Sequence, residues 1–86
     1  MRVAVAGSSG RMGRALIEEV SKDGELTLAA ALDIASGPAI GGVAISVDVS
    51  AALAVADVLI DFTRPAGTLA HLEACARLGK AMVIGT

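Results

Sequence analysis

Aromatic residues are almost missing from this 86-residue chain: Phe62 stands alone, with no tryptophan or tyrosine. That argues against a stacking platform for single-stranded nucleic acid. Cysteine is equally scarce. Cys75 is the only one, so neither a disulfide framework nor a zinc cluster is available. A single cysteine within a helical pattern reads as a small buried apolar residue. Charge of either sign is thin, and the formal net charge of −2 gives no general pull toward nucleic acid or an anionic membrane. No apolar run is long enough to span a bilayer. No signal peptide is legible, because Met1-Arg2 leads at once into a strand pattern. The expectation is one small cytoplasmic domain with no metal site.

Small apolar residues, alanine above all, fill the space that aromatics leave. This suits helices packed closely on a buried parallel sheet, whose strands read as continuous apolar runs. The organising stretch is Val3 to Arg14. An apolar run ends at Gly7, a turn follows, and an amphipathic pattern begins. Gly7, Gly10 and Gly13 are spaced G-x-x-G-x-x-G, a variant of the dinucleotide fingerprint with its middle glycine moved by one position. Gly7 suits a turn that a Cβ would obstruct. Gly10 lets the backbone approach a pyrophosphate, and Gly13 lets the helix lie close to the strand. Free N–H groups at the helix start favour an anion, and Arg11 can add a charge-assisted bond. The plain alternative is a glycine-rich turn with no ligand. The fingerprint also requires an acid about 20 residues on, after a second strand. Asp33 fills that place, where its carboxylate can accept from ribose hydroxyls; otherwise it is a solvated turn residue.

Along the chain, strands are expected at Arg2 to Ala6, Leu26 to Leu32, Val43 to Val47, Val58 to Thr63 and Ala81 to Thr86. A first helix runs from about Gly10 to Lys22, with Met12, Leu16 and Val20 on its apolar face and Ala15 and Ile17 widening it. Arg11, Arg14, Glu18 and Lys22 lie opposite, and Glu18 and Lys22 form an i,i+4 pair. Asp33 to Gly42 reads as loop. Asp48 or Ser50 can cap a short helix through Ala56. A third helix starts at Pro65, carries Leu69, Leu72 and Ala76 on one face, and stops at Gly79. His71 reads as an exposed helix residue. The alternation predicts an α/β Rossmann-type fold in three layers, with a parallel sheet in the order 3-2-1-4-5, truncated after the fifth strand. Gly7, Asp33, Thr63 and Gly85 all fall at C-terminal strand ends and therefore on one edge of the sheet.

Three stretches resemble one known family. They are Val5-Ala6-Gly7-Ser8-Ser9-Gly10-Arg11-Met12-Gly13-Arg14, Leu59-Ile60-Asp61-Phe62-Thr63-Arg64-Pro65 with Gly67-Thr68-Leu69, and Gly79-Lys80 with Val83-Ile84-Gly85-Thr86. In that order they are similar to the bacterial 4-hydroxy-tetrahydrodipicolinate reductases, also called dihydrodipicolinate reductases. The segment from about Ile34 to Ser46 matches poorly and looks shorter than the family's. The resemblance implies an oxidoreductase of diaminopimelate and lysine biosynthesis that reduces a cyclic imine or enamine dicarboxylate with NADH or NADPH. It implies that Gly7, Ser8, Ser9, Gly10, Arg11 and Met12 form the pyrophosphate turn and that Asp33 is the ribose acid. Phe62, Thr63, Gly85 and Thr86 would lie beside the nicotinamide half. The family's substrate motif and substrate domain have no counterpart here. The expectation is therefore a cofactor-binding domain over residues 1–86, a cut or engineered fragment without catalytic residues of its own.

Arg64 keeps two readings: a cation facing the cofactor, or a residue solvating the first turn of its helix. Asp61 either faces the site or is a hydrogen-bonded strand end. Asp33 is followed by Ile34, with no neighbouring arginine to receive a 2′-phosphate, so NADH is expected to be preferred over NADPH. Arg11 is the group able to narrow that gap. Two other classes stay open: a module that binds a dinucleotide and catalyses nothing, and a minimal folding model with no ligand. The apolar fifth strand is expected to offer an open edge for self-association.

Overall fold

The computed structural model describes residues 1–85, all but the C-terminal residue. The elements in chain order are β1 (Arg2–Ala6), α1 (Arg11–Lys22), β2 (Thr27–Leu32), β3 (Gly37–Ile40), β4 (Val43–Ser46), α2 (Val49–Ala54), β5 (Val58–Asp61), α3 (Pro65–Leu78) and β6 (Ala81–Ile84). They build one six-stranded sheet in the order β3-β4-β2-β1-β5-β6. The five strands expected from the sequence keep their expected order among themselves and are parallel to one another, with a sixth strand added at the edge.

The sixth strand, β3, corrects the reading of Asp33 to Gly42 as loop. It pairs antiparallel with β4, with Ile40 opposite Val43. The two residues between them, Gly41 and Gly42, have φ of 59° and 81°. A two-residue hairpin turn that matches the twist of its strands needs positive φ at both positions, which glycine supplies. Pro38 is tolerated because β3 lies at the sheet edge, where a missing N–H breaks no central ladder.

Alternation along β1 divides the core. Val3 and Val5 pack with Ile17 of α1 and Val58 on one face. Ala4 and Ala6 pack with Leu53 of α2 and Ala74 and Cys75 of α3 on the other. The result is helix, sheet, helix. The α1 face follows the sequence expectation at Leu16, Ile17 and Val20 but not at Met12, and the α3 face differs from it. On α1 the buried residues are Gly13, Ile17 and Val20, and Met12 is 59% exposed. On α3 the buried residues are Ala74 and Cys75, while Leu69 and Leu72 face solvent. On this face Ala74 and Cys75 pack with Ala4, Ala6 and Ala30 of the strands and Leu53 of α2. Asp48 caps α2, its carboxylate accepting from the Ala51 N–H at 3.0 Å. Gly79 ends α3 in the left-handed conformation.

Candidate cofactor-binding site

The site is built around the turn from β1 to α1. Gly7 has φ of 82°, and a Cβ there would lie 2.9 Å from the Phe62 carbonyl oxygen. A Cβ on Gly13 would lie 2.1 Å from the Gly7 carbonyl oxygen. Gly13 therefore seats α1 directly on the backbone of the turn.

Most amides of the turn already have partners. The N–H groups of Gly7 and Ser8 donate to the Leu32 carbonyl, and that of Gly10 to the Gly7 carbonyl. The Ser9 N–H donates to Asp33 Oδ2 at 2.9 Å. Ser8 is fully buried, with its hydroxyl donating to the Val5 carbonyl at 2.6 Å. Within the turn, the Ser8 amide and hydroxyl both bond to the protein itself. The donors left over are at the start of α1. Gly10 provides no side-chain cap and the first turn carries no acid. The N–H groups of Arg11, Met12 and Gly13 precede the first intrahelical bond, so the positive end of the helix is open to an anion.

Asp33, just past β2, is joined to this turn across 24 residues. Its Oδ2 accepts from the Ser9 N–H and hydroxyl, and its Oδ1 accepts from the Ile34 N–H at 2.7 Å. Burial raises the carboxyl pKa, but these hydrogen bonds outweigh it and hold the group below the ordinary carboxylate value. The ionised group has about four lone-pair sites. Three are engaged, which leaves room for one more hydroxyl donor.

A cleft of about 600 Å³ opens beside Asp33, bordered by Gly7, Ser9 and Gly10 at the turn and by Phe62 and Thr63 past β5. A second, of about 480 Å³, is bordered by Arg11, Met12, Phe62 and Gly85. Gly7, Gly10 and Phe62 border both. The two clefts adjoin at the turn that leads into α1. All the candidate residues within the described chain except Ser8 border one cleft or the other. Thr86 lies outside the described residues. Arg64 is exposed at the N-cap of α3 and borders the larger cleft, with no carboxylate in ion-pair reach among the described residues.

The residues that sequence reasoning placed least well are Asp61 and His71. Asp61 is completely buried at the end of β5. Its Oδ1 accepts from the Thr63 hydroxyl at 2.7 Å and pairs with His71 Nδ1 at 2.9 Å, and its Oδ2 accepts from the Thr68 hydroxyl at 2.5 Å. Burial alone would raise its pKa. Hydrogen bonds from Thr68, Thr63 and His71, with the charge of a protonated His71, together bring it below the ordinary value. Of the two readings of Asp61, the hydrogen-bonded strand end is the one observed. His71 is the correction. It is not an exposed helix residue; its side chain is 13% exposed and it borders the larger cleft. One signal was available: Thr68 and His71 are spaced i,i+3 on α3, so both face the end of β5. Among the described residues no group of three or more acidic, histidine or cysteine side chains can hold a metal ion.

Fold and site together define a Rossmann-type nucleotide-binding domain. The family model described as dihydrodipicolinate reductase, N-terminus, matches residues 1–86, and the chain belongs to that family. It is 56% identical to the 4-hydroxy-tetrahydrodipicolinate reductase of Cupriavidus necator and 50% identical to that of Nitrosomonas europaea. Each match covers all of this chain and 37% or 36% of the relative, respectively. The chain thus spans little more than a third of the relatives' length. The aligned length of 97 positions exceeds the chain's 86 residues, so these relatives carry residues within the matched stretch that this chain lacks. Among solved structures, a dipicolinate-bound dihydrodipicolinate reductase from Paenisporosarcina sp. TG-14 superposes with a TM-score of 0.87 at 26% identity, over all of this chain and 37% of that one. A UDP-N-acetylglucosamine 3-dehydrogenase from Acidithiobacillus ferrooxidans, at 22% identity and a TM-score of 0.80, shares the fold; the match covers 98% of this chain and 29% of that one.

Proposed function

We propose that this chain binds NADH or NADPH as the cofactor-holding part of a reductase that delivers hydride to a cyclic imine or enamine dicarboxylate. The observation that carries the reading is the junction of Asp33 with the glycine turn, beside the uncapped N-terminus of α1. The free amides of Arg11 and Met12 fit a pyrophosphate, and the ionised Asp33 fits ribose hydroxyls. Phe62, Thr63 and Gly85 are assigned to the nicotinamide half. When bound, the cofactor supplies the hydride. The chain's own residues anchor it at the phosphates and ribose and orient the remainder along the clefts. The relatives' names support a reductase of lysine and diaminopimelate biosynthesis, and a cytoplasmic location goes with that role.

The experiment is a paired titration with NADH and NADPH, following nicotinamide fluorescence. With no tryptophan or tyrosine in the chain, the signal has little protein background. A 2′-phosphate beside the Asp33 carboxylate is a like-charge contact, so NADH should bind roughly tenfold tighter. Asp33→Asn should narrow that ratio. Equal or tighter NADPH binding would remove Asp33 as the discriminating residue. Failure of both dinucleotides to bind would remove the reading altogether.

We also propose that the chain self-associates through β6. Among the described residues, β6 pairs only with β5 and leaves its other side open. Val83 and Ile84 are about half exposed on that strand. The opposite edge is blunted by Pro38, whereas β6 carries neither proline nor charge. Sedimentation over a concentration series should show a dimer that Val83→Lys weakens. A monomer at high concentration is the contrary result.

A further inference from the structure

Arg14 is an exposed residue near the start of α1, yet it reaches back to the glycine turn twice. Its backbone N–H donates to the Gly10 carbonyl at 3.0 Å, as the helix requires. Its side chain turns back as well, and Nε donates to the Ser9 carbonyl at 3.1 Å. That second bond is no part of the helix ladder. Among the described residues no carboxylate lies in ion-pair reach of Arg14. The residue also borders neither cleft.

Ser9 is the joint between the turn and Asp33. Its N–H and its hydroxyl both donate to Asp33 Oδ2, and its carbonyl is the group that Arg14 holds. The planar Ser9–Gly10 peptide therefore has two ties. The Gly10 N–H donates to the Gly7 carbonyl at 3.1 Å on one side, and the Ser9 carbonyl accepts from Arg14 on the other. A second tie matters here because Gly10, with no Cβ, leaves this peptide freer to rotate than any other residue would. The glycine that admits an anion also loosens the turn, and a charge-assisted bond from the helix opposes that. The helix is a firm base for it, because Gly13 seats α1 on the Gly7 backbone one residue before Arg14.

We propose that Arg14 is a positioning residue: through the Ser9 carbonyl it holds Ser9 against Asp33, and so keeps the ribose carboxylate and the phosphate turn in register without touching the ligand. The proposal rests on the dinucleotide reading above and adds to it a residue that acts from outside both clefts. It differs from a purely electrostatic role in what it demands of the side chain. A cation acting on the phosphates needs the charge. The tie to Ser9 needs a donor where Nε stands. Glutamine carries its amide nitrogen the same number of bonds from the backbone as Nε and has no charge. Lysine keeps the charge and has a methylene at that place.

The test compares Arg14→Ala, Arg14→Gln and Arg14→Lys with the unaltered chain by two measurements. One is the titration of the Asp33 carboxyl carbon by NMR in the free chain, and the other is NADH affinity by nicotinamide fluorescence. In Arg14→Ala and Arg14→Lys, Asp33 should titrate higher, nearer the ordinary carboxylate value, because the Ser9 bonds that lower it are loosened. NADH should bind roughly threefold to tenfold more weakly in both. Arg14→Gln should stay close to the unaltered chain in both measurements. Melting temperatures of all four chains should agree within about 4 °C, as expected for an exposed position. An unchanged Asp33 titration in Arg14→Ala would overturn the proposal. So would NADH affinity that Arg14→Lys keeps and Arg14→Gln loses, which is the mark of a charge acting on the phosphates. Both results leave the dinucleotide reading standing. Failure of the unaltered chain to bind NADH would remove that reading, and this role with it.

Discussion

Replacing Gly13 by alanine should destabilise the domain, although the same change in an ordinary helix interior stabilises by about 1 kcal/mol. The new methyl carbon would stand 2.1 Å from the Gly7 carbonyl oxygen and 2.8 Å from its carbon. Both are backbone atoms, so no rotamer change relieves the clash. Either α1 lifts from the turn or the turn opens. Overpacking of this kind costs about 1–3 kcal/mol, occasionally more, against a total that is about 5–15 kcal/mol for a single domain. For a chain of this size the melting temperature should fall by about 5–20 °C. Dinucleotide affinity should fall with it, because Arg11 and Met12 move with the helix. Gly24 is the control. A Cβ there meets no atom within 4 Å, so Gly24→Ala should change stability by no more than about 0.5 kcal/mol. Thermal melts of the two variants side by side decide the matter. A Gly13→Ala protein as stable as the parent would show that the helix does not seat on the turn.

Removing the Asp61 carboxylate should be the most damaging polar change in the chain. Asp61→Ala leaves the hydroxyls of Thr63 and Thr68 and the ring of His71 without their shared acceptor at a fully buried position. Breaking a buried pair in this way costs about 3–5 kcal/mol. Asp61→Asn keeps one oxygen and the shape, and should cost less. The pH dependence has a definite sign. The folded-state pKa of Asp61 lies below the ordinary carboxylate value, and the same holds for Asp33 and Asp57. Each contributes stability that is fully present above the unfolded-state value near about pH 4 and is lost as pH falls through the lower folded-state value. Urea unfolding at a series of pH values should therefore show stability falling steeply only below about pH 4. Asp61→Asn should flatten that fall. An unchanged acid profile in the variant would mean that Asp61 is not ionised in the folded chain.

Much of the candidate site was legible before any coordinates, and for a reason particular to its chemistry. A turn that hugs an anion cannot accommodate side chains on its tightest positions, so Gly7, Gly10 and Gly13 are written into the chain at fixed spacing. Asp33 is legible because β2 must end beside β1 in a parallel sheet, which places its last residue over the turn. The β3–β4 hairpin was legible too, in the pair Gly41-Gly42. Composition alone makes Asp33 to Gly42 a loop, whereas the positive φ that such a pair supplies closes a hairpin. The motif places Ser8 in the turn, and the direction of its hydroxyl is set by the strand beneath it, here the Val5 carbonyl.

Taken by itself, the sequence determined the element types, the parallel order of five strands and the glycine turn, because each follows from local periodicity or from the steric demands of a few adjacent residues. Only the tertiary structure decided which face of α3 is buried. Leucine spacing pointed to Leu69 and Leu72, but the way α3 crosses the sheet turns Ala74 and Cys75 inward and Leu69 outward. Only the tertiary structure joined Asp61 to Thr63, Thr68 and His71. A buried carboxylate gathers every donor within reach, and what lies within reach of the end of β5 depends on how α3 crosses the sheet.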